Sequence, residues 1–219
     1  LIKRDITRRQ IAYIEENKML LPGIHIKVEP LRSYVHKDFA SHILGYLGEV
    51  SKHELKKSEY ARYEQGDMIG KNGLEKIYES NLKGEKGFRE VEVDVSGREL
   101  KTLRKLSPKT GNSLVLTLDS RVQSKLEKLM DVASDTNPIK GSVVVMKVQS
   151  GEIVAMVSKP SFDPNFFATG ISKKKWNNLV NDKKHPLNNR AIDGQYPPAS
   201  TYKVVTAYAA LSEKIIESE

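Results

Sequence analysis

The chain of 219 residues carries 36 Lys+Arg against 28 Asp+Glu, a formal net charge of +8, with 38% hydrophobic residues and no cysteine. Lacking any thiol, it cannot be a disulfide scaffold, a zinc ribbon or a cysteine enzyme, and its length suits one large or two modest domains. No apolar run approaches the roughly 18–20 residues that cross a bilayer, and the basic residues form no aromatic-interleaved stripe of the kind that binds nucleic acid.

Leu1 is followed by no secretory pattern, so the chain reads as a piece of a longer polypeptide whose upstream part, an anchor included, is unseen. Asp5 opens a predicted helix to Lys18, with Ile6, Ile11, Ile14 and Met19 near helical spacing, and Leu21-Pro22-Gly23 stops it. Ile24, Ile26 and Val28 then alternate with polar residues, the period-two pattern of a half-buried strand. A short helix over 39–46 ends at Gly45 or Gly48, and Ser51 caps another. A glycine-punctuated loop feeds a helix with Leu74, Ile77 and Tyr78 on one face. Val91, Val93 and Val95 alternate with Glu92 and Asp94 up to Ser96-Gly97, which predicts a hairpin whose second strand begins near Arg98. The turn-rich run Pro108 to Asn112 marks the predicted boundary between an α+β region, 1–110, and a second region, 111–219.

The second region opens with a predicted strand over 114–118, then a helix from Asp119-Ser120 to Ser134 with Val122, Leu126, Leu129, Met130 and Ala133 on one stripe. Strands over 142–148 and 153–157 flank the turn Gln149-Ser150-Gly151-Glu152, an order that suggests a helix packed on an antiparallel sheet. Residues 160–198 are rich in Pro, Asn and Lys with one helical piece near Trp176; so long an irregular stretch reads as functional, or as a lid, rather than as core. A last helix from Ala199 to Lys214 is expected to turn Val204, Val205, Ala207, Tyr208 and Leu211 inward.

Chemistry concentrates in Tyr196-Pro197-Pro198-Ala199-Ser200-Thr201-Tyr202-Lys203. Two prolines set an extended approach to a helix whose first turn holds Ser200 and Lys203. Three residues apart, their Cβ atoms lie about 5–6 Å from each other on one face, so the amine can reach the hydroxyl. A hydroxyl becomes a nucleophile when a base takes its proton, and a lysine serves as that base once burial or neighbours lower its pKa. The helix N-terminus also aims free N–H groups at a developing oxyanion. The spacing alone fits an N-capping serine and a surface lysine equally well; the Pro-Pro-Ala approach and the apolar helix behind it favour a buried, oriented pair. Ser172 to Lys175 has the same spacing and reads as a solvated basic turn. His25, His36, His42, His53 and His185 share no ligand spacing, Asp163 and Asp182 read as turn caps, and Glu75 and Arg98 as structural hydrogen-bonding groups. The clusters Lys3-Arg4, Lys56-Lys57 and Lys173-Lys174-Lys175 read as solvated surface.

Several ordered blocks together resemble the class B penicillin-binding proteins, in particular their elongation-specific penicillin-binding protein 2 group. They are Leu21-Pro22-Gly23-Ile24, Arg32-Ser33-Tyr34, His42-Ile43-Leu44-Gly45-Tyr46-Leu47-Gly48, Gly70-Lys71-Asn72-Gly73-Leu74-Glu75-Lys76-Ile77-Tyr78-Glu79 and Val93-Asp94-Val95-Ser96-Gly97-Arg98. Further on come Gly151-Glu152-Ile153-Val154-Ala155-Met156, Pro160-Ser161-Phe162-Asp163-Pro164-Asn165, Asn189-Arg190-Ala191-Ile192 and the Ser-x-x-Lys run itself. The resemblance implies an elongated, strand-rich pedestal over 1–110 and the first part of a transpeptidase domain over 111–219. It implies a D,D-transpeptidase that cross-links peptidoglycan stem peptides, with Ser200 as nucleophile, Lys203 as general base, β-lactams as acylating mimics, and no metal or cofactor. MreC and RodA are the implied partners. The implied location is the periplasmic side of the inner membrane, on a single-pass anchor upstream of Leu1.

The sequence departs from that pattern in places. The Ser-x-Asn and Lys-Thr/Ser-Gly motifs that the family places downstream of the nucleophile do not occur there, and Lys109-Thr110-Gly111 has the right letters upstream, in the interdomain turn, where it reads as a decoy. Ala199 stands where a Gly is usual, and Met146-Lys147-Val148 replaces an expected Met-Asp-Pro. The chain by itself is therefore expected to be inactive, and a second reading makes it an interaction platform of the elongation machinery. The Ser200 run also resembles class D β-lactamases and β-lactam sensors, against which the long pedestal-like region argues.

Overall fold

The computed structural model describes residues 2–95, 99–132 and 139–217. Helix α1 spans Arg8–Glu16 and begins three residues later than the sequence suggests. Thr7, not Asp5, is its cap: Thr7 Oγ1 accepts from the Gln10 N–H at 3.3 Å while Gln10 Oε1 accepts from the Thr7 N–H at 3.0 Å. Only Thr7 has a Gln three residues on, so only there can both orphan donors be satisfied reciprocally. From Ile24 to Tyr34 the chain forms neither helix nor strand. Ile24 and Ile26 are half-buried as the alternation predicts, but Val28 is exposed, and the expected strand does not form because no second strand of the described residues lies beside it.

Helix α2 (Ser41–Leu44) stops at Gly45, whose φ of 81° suits glycine. A Cβ at Gly45 would stand 1.9 Å from the Asn72 carbonyl oxygen, so here two backbones cross in contact. That crossing seats β1 (Leu47–Glu49) antiparallel to β2 (Met68–Gly70), around the fully buried Ile69. Between them Ser51 makes the expected cap, its Oγ accepting from Glu54 N–H while Glu54 Oε2 accepts from Ser51 N–H. Helices α3 (Gly73–Ile77) and α4 (Glu79–Leu82) follow. The face buried on α3 is not the predicted apolar one: Ile77 is exposed and Glu75 is buried. Glu75 is satisfied by the Arg32 guanidinium at 2.9 Å and the Tyr34 hydroxyl at 3.1 Å, the structural role read from the sequence. Burial, with the Glu75 charge added to it, pushes the Tyr34 phenol up.

Strands β3 (Phe88–Val93) and β4 (Glu99–Leu106) form the predicted hairpin, with two register shifts; its turn, and Arg98, lie outside the described residues. Lys109 then pairs with Glu85 through both backbone bonds.

Helix α5 (Ser120–Val132) is capped by Asp119, whose Oδ1 accepts from Arg121 N–H at 2.9 Å; hydrogen bonds from Arg121 hold that carboxyl at about 2. The predicted end at Ser134 and the residue Ala133 lie outside the described residues. Strands β5 (Gly141–Met146) and β6 (Ile153–Lys159) pair antiparallel, and α5 packs on β6 as expected. The predicted strand over 114–118 is absent, for a reason visible on the free edge of β6. The Gln123 amide, fully buried, takes both the N–H and the carbonyl of Met156 at 2.9 Å each, while Thr117 Oγ1 and Asp119 N–H take the carbonyls of Ile153 and Val154. Two side chains and one backbone N–H of the helix and its lead-in thus occupy the edge a strand would have used.

The irregular stretch after β6 is not a lid. With α6 (Asn165–Ala168) it supplies the buried Phe162, Phe167 and Ala168. Tyr46 from the N-terminal region stacks on Phe167 at 4.1 Å, and His42 and Tyr46 meet Phe162 edge-on. The Asn165 side chain closes the joint by accepting from Tyr34 N–H and donating to its carbonyl, both at 2.9 Å. The N-terminal region and the β5–β6 layer therefore share one core.

Candidate functional site

The second Ser-x-x-Lys run, Ser172 to Lys175, is exposed as expected, but it opens helix α7 (Lys173–Val180) where the sequence suggests a turn. Ser172 caps the helix by accepting from Lys175 N–H, and the Lys175 amine lies 4.7 Å over the Phe166 ring. Asp163 and Asp182 cap turns, accepting from Asn165 and Lys184 N–H.

Residues 186–191 are anchored from three sides. His42 Nε2 meets the Pro186 carbonyl at 2.8 Å, which makes Nε2 the protonated nitrogen. Ser158 Oγ on β6 donates to the Asn188 carbonyl and accepts from Arg190 N–H. Asn189, buried, braces its own turn by accepting from Ala191 N–H, and the Arg190 guanidinium holds the carbonyls of Lys184 and His185. Burial pushes the His42 imidazole down, helped by the charges of Arg190 and Lys159 and opposed by the Pro186 carbonyl. Sequence reading placed His42 and Asn189 in family-like blocks without assigning either this bracing role, and Ser158 escaped it altogether. No local pattern announces an anchor whose partner is about 140 residues away in the chain.

From Ile192 to Glu217 the chain is exposed, apart from the half-buried Ala210. Ala199 adopts φ 47°, a left-handed conformation costly for any residue with a Cβ. It opens a 3-10 turn, Ala199–Tyr202, which passes directly into α8 (Lys203–Ser212). Within that turn the Lys203 N–H bonds to the Ser200 carbonyl. Side chains three apart eclipse in an ideal turn of this type, the backbone geometry that Ser200 and Lys203 share here. The expected burial is not found. Ser200 and Lys203 are both exposed, and no hydrogen bond between described residues joins their side chains. The helix behind them explains this: Val204, Val205, Tyr208 and Leu211, expected inward, are all exposed, because among the described residues only the preceding turn packs closely on α8. The turn places a hydroxyl and an amine in order, and what would desolvate them is not among the contacts of the described residues.

Lys109-Thr110-Gly111 is fully occupied structurally. Besides the backbone pairing, Lys109 Nζ meets Glu85 at 2.9 Å, and a Cβ at Gly111 would stand 1.9 Å from the Leu82 carbonyl oxygen. Among the described residues no group of three His, Asp or Glu side chains is placed to hold a metal ion.

Comparison with known proteins supplies the family. Residues 1–116 match the model of the penicillin-binding protein dimerisation domain, and residues 141–219 that of the penicillin-binding protein transpeptidase domain. The chain is 36% identical over 219 residues to peptidoglycan D,D-transpeptidase MrdA of Escherichia coli K12, covering 98% of this chain and 34% of that protein. It is 37% identical to MrdA of Acinetobacter baumannii, covering 99% and 31%. A solved complex between penicillin-binding protein PBP2 and MreC from Helicobacter pylori superposes with a TM-score of 0.74 at 33% identity, over 97% of this chain and 38% of that one. The chain spans about a third of the length of the curated relatives it matches.

Proposed function

Since the chain belongs to the penicillin-binding proteins, joining their dimerisation domain to the start of their transpeptidase domain, we propose that it forms part of a peptidoglycan D,D-transpeptidase serving cell elongation. The division between the two parts is placed near residue 110. In this reading Ser200 Oγ attacks the carbonyl carbon between the two terminal D-Ala residues of a stem peptide while Lys203 Nζ takes its proton. The C–N bond breaks, the departing D-Ala amine receives that proton, and an ester remains on Ser200. The amine of a second stem peptide attacks the ester, and its proton returns through Lys203 to the Ser200 oxygen as the cross-link forms. The Ser200 N–H supplies one donor to the oxyanion. A β-lactam acylates Ser200 by the same first step. The observation that carries this reading is the 3-10 turn that joins Ser200 to Lys203 by a backbone hydrogen bond at the entrance of α8. Lysine works as a base only once desolvated or set beside another cation, so the proposal assigns that task to parts of the domain beyond this chain.

The test is labelling by a fluorescent penicillin. In the protein carrying this chain in full, Ser200→Ala abolishes the covalent adduct and Lys203→Ala slows its formation by about 100-fold or more. The 219-residue chain alone forms no stable adduct. Labelling that survives Ser200→Ala removes the assignment.

A second reading rests on the β3–β4 hairpin, where Phe88, Leu100, Leu103 and Leu106 are all at least half exposed. In it the pedestal docks MreC, as the PBP2 of the Helicobacter pylori complex does, with RodA as a further partner and a single-pass inner-membrane anchor upstream holding this region in the periplasm. No helix of the described residues is long and apolar enough to cross a membrane. Calorimetry with a purified MreC periplasmic domain checks the docking: binding that Leu103→Asp weakens at least tenfold is expected, and its absence with a folded pedestal removes this reading.

A further inference from the structure

The joint between the N-terminal region and β6 holds a small, partly open cavity of about 10 Å3, whose walls include Asp38, Ser41, His42, Glu127, Lys159 and Ser161. Ser41 is 1% exposed, and its Oγ is a buried side-chain atom without a hydrogen-bond partner. Buried hydroxyls are nearly always paired, because leaving one unpaired forfeits the hydration it had in the unfolded chain.

The groups around it are committed in ways that keep them from closing on Ser41 themselves. Glu127 Oε1 accepts from Ala40 N–H at 2.9 Å and from the Gln123 amide at 2.8 Å. Asp38 Oδ2 accepts from Ser161 Oγ at 2.7 Å, and Lys159 Nζ is held by Asp131 at 2.9 Å. His42 Nε2 is spent on Pro186. A carboxylate oxygen that accepts one bond keeps room for another, so the wall offers acceptors to a donor small enough to enter. The volume is about that swept by the centre of one water and is too small for any organic ligand. Lys159, 5% exposed beside the carboxylates, disfavours a second cation.

We propose that this cavity is a binding site for one water molecule, which pairs Ser41 Oγ and hydrogen-bonds a carboxylate of Asp38 or Glu127. The walls of the cavity come from both sides of the joint, from residues 38–42 and from Glu127 and residues 156–161, so the water lies in the contact between the N-terminal region and the β5–β6 layer.

The experiment uses the protein carrying this chain in full. A crystal structure fine enough to show ordered water is expected to place density about 2.5–3.0 Å from Ser41 Oγ and from one of the two carboxylates. Empty density, or Ser41 Oγ turned onto a backbone carbonyl, overturns the proposal. Thermal unfolding gives an independent sign. If the water is held, Ser41→Ala removes one of its partners and lowers Tm by about 2–4 °C. If the hydroxyl merely sits unpaired, Ser41→Ala relieves it, and a Tm that holds or rises overturns the proposal.

Discussion

The joint around Phe162 and Phe167 and the helix that follows Ser200 lie in the same part of the chain, yet they are built in opposite ways. At the joint the apolar groups are covered: Tyr46 stacks on Phe167, Phe162 lies against His42, and Phe162, Phe167 and Ala168 are buried, as are Ala155 and Val157 of β6. On α8, which is richer in apolar residues, Val204, Val205 and Tyr208 face solvent. The difference is one of partners, not of composition. Residues 34–50 reach across the sequence to cover the joint, and nothing described in this chain does the same for α8. The backbone of the Ser200 turn is thus set by local geometry, while the burial of its side chains depends on what packs against α8.

The largest expected effect strikes the joint. Phe167→Ala removes a ring that is 4% exposed and touches Tyr46, Phe162 and Trp176. Loss of about 3–5 kcal/mol is expected in denaturant unfolding. A cost below about 1 kcal/mol would mean that the two parts of the chain do not share a core in solution, and the comparison would break there.

The joint also carries a pH dependence through His42. Its imidazole is held below the ordinary value of 6.5, mainly by burial. At pH below 6.5 the unfolded chain therefore binds a proton that the folded chain refuses, so stability is complete above about 6.5 and falls as pH drops toward the folded value. Unfolding measured from pH 7.5 down to 5 should show this slope, and His42→Gln should flatten it. The other charges facing the ring are those of Arg190 and Lys159, and both push its pKa in the same direction as burial.

What the sequence made legible follows the range of the forces involved. Hairpins β3–β4 and β5–β6 are readable because partner strands are neighbours and the alternation is local. The cap at Thr7 was misread as Asp5 because both residue types cap well, and only the Gln10 side chain decides between them. The segment over 24–28 has a strand's pattern but no ladder, since a partner cannot be read from one segment alone. The segment over 114–118 lost its place on β6 to Gln123, a pairing that no periodicity encodes. At the candidate site the turn that carries Ser200 and Lys203 follows from the local sequence. Their exposure does not, because it depends on what α8 packs against.

The smallest expected effect lies on α8 and addresses that dependence directly. Leu211 is 42% exposed. Leu211→Ala in the 219-residue chain should change unfolding by no more than about 0.5 kcal/mol, since alanine is at least as good a helix former and little packing is lost. In the protein carrying this chain in full, the same substitution should cost about 2–5 kcal/mol if further parts of the domain close over the helix. The ratio of the two costs measures how much of the environment of Ser200 and Lys203 is supplied from outside the chain. Equal, small costs in both would leave Lys203 solvated in the complete protein, and a solvated lysine stays protonated and cannot take the proton from Ser200.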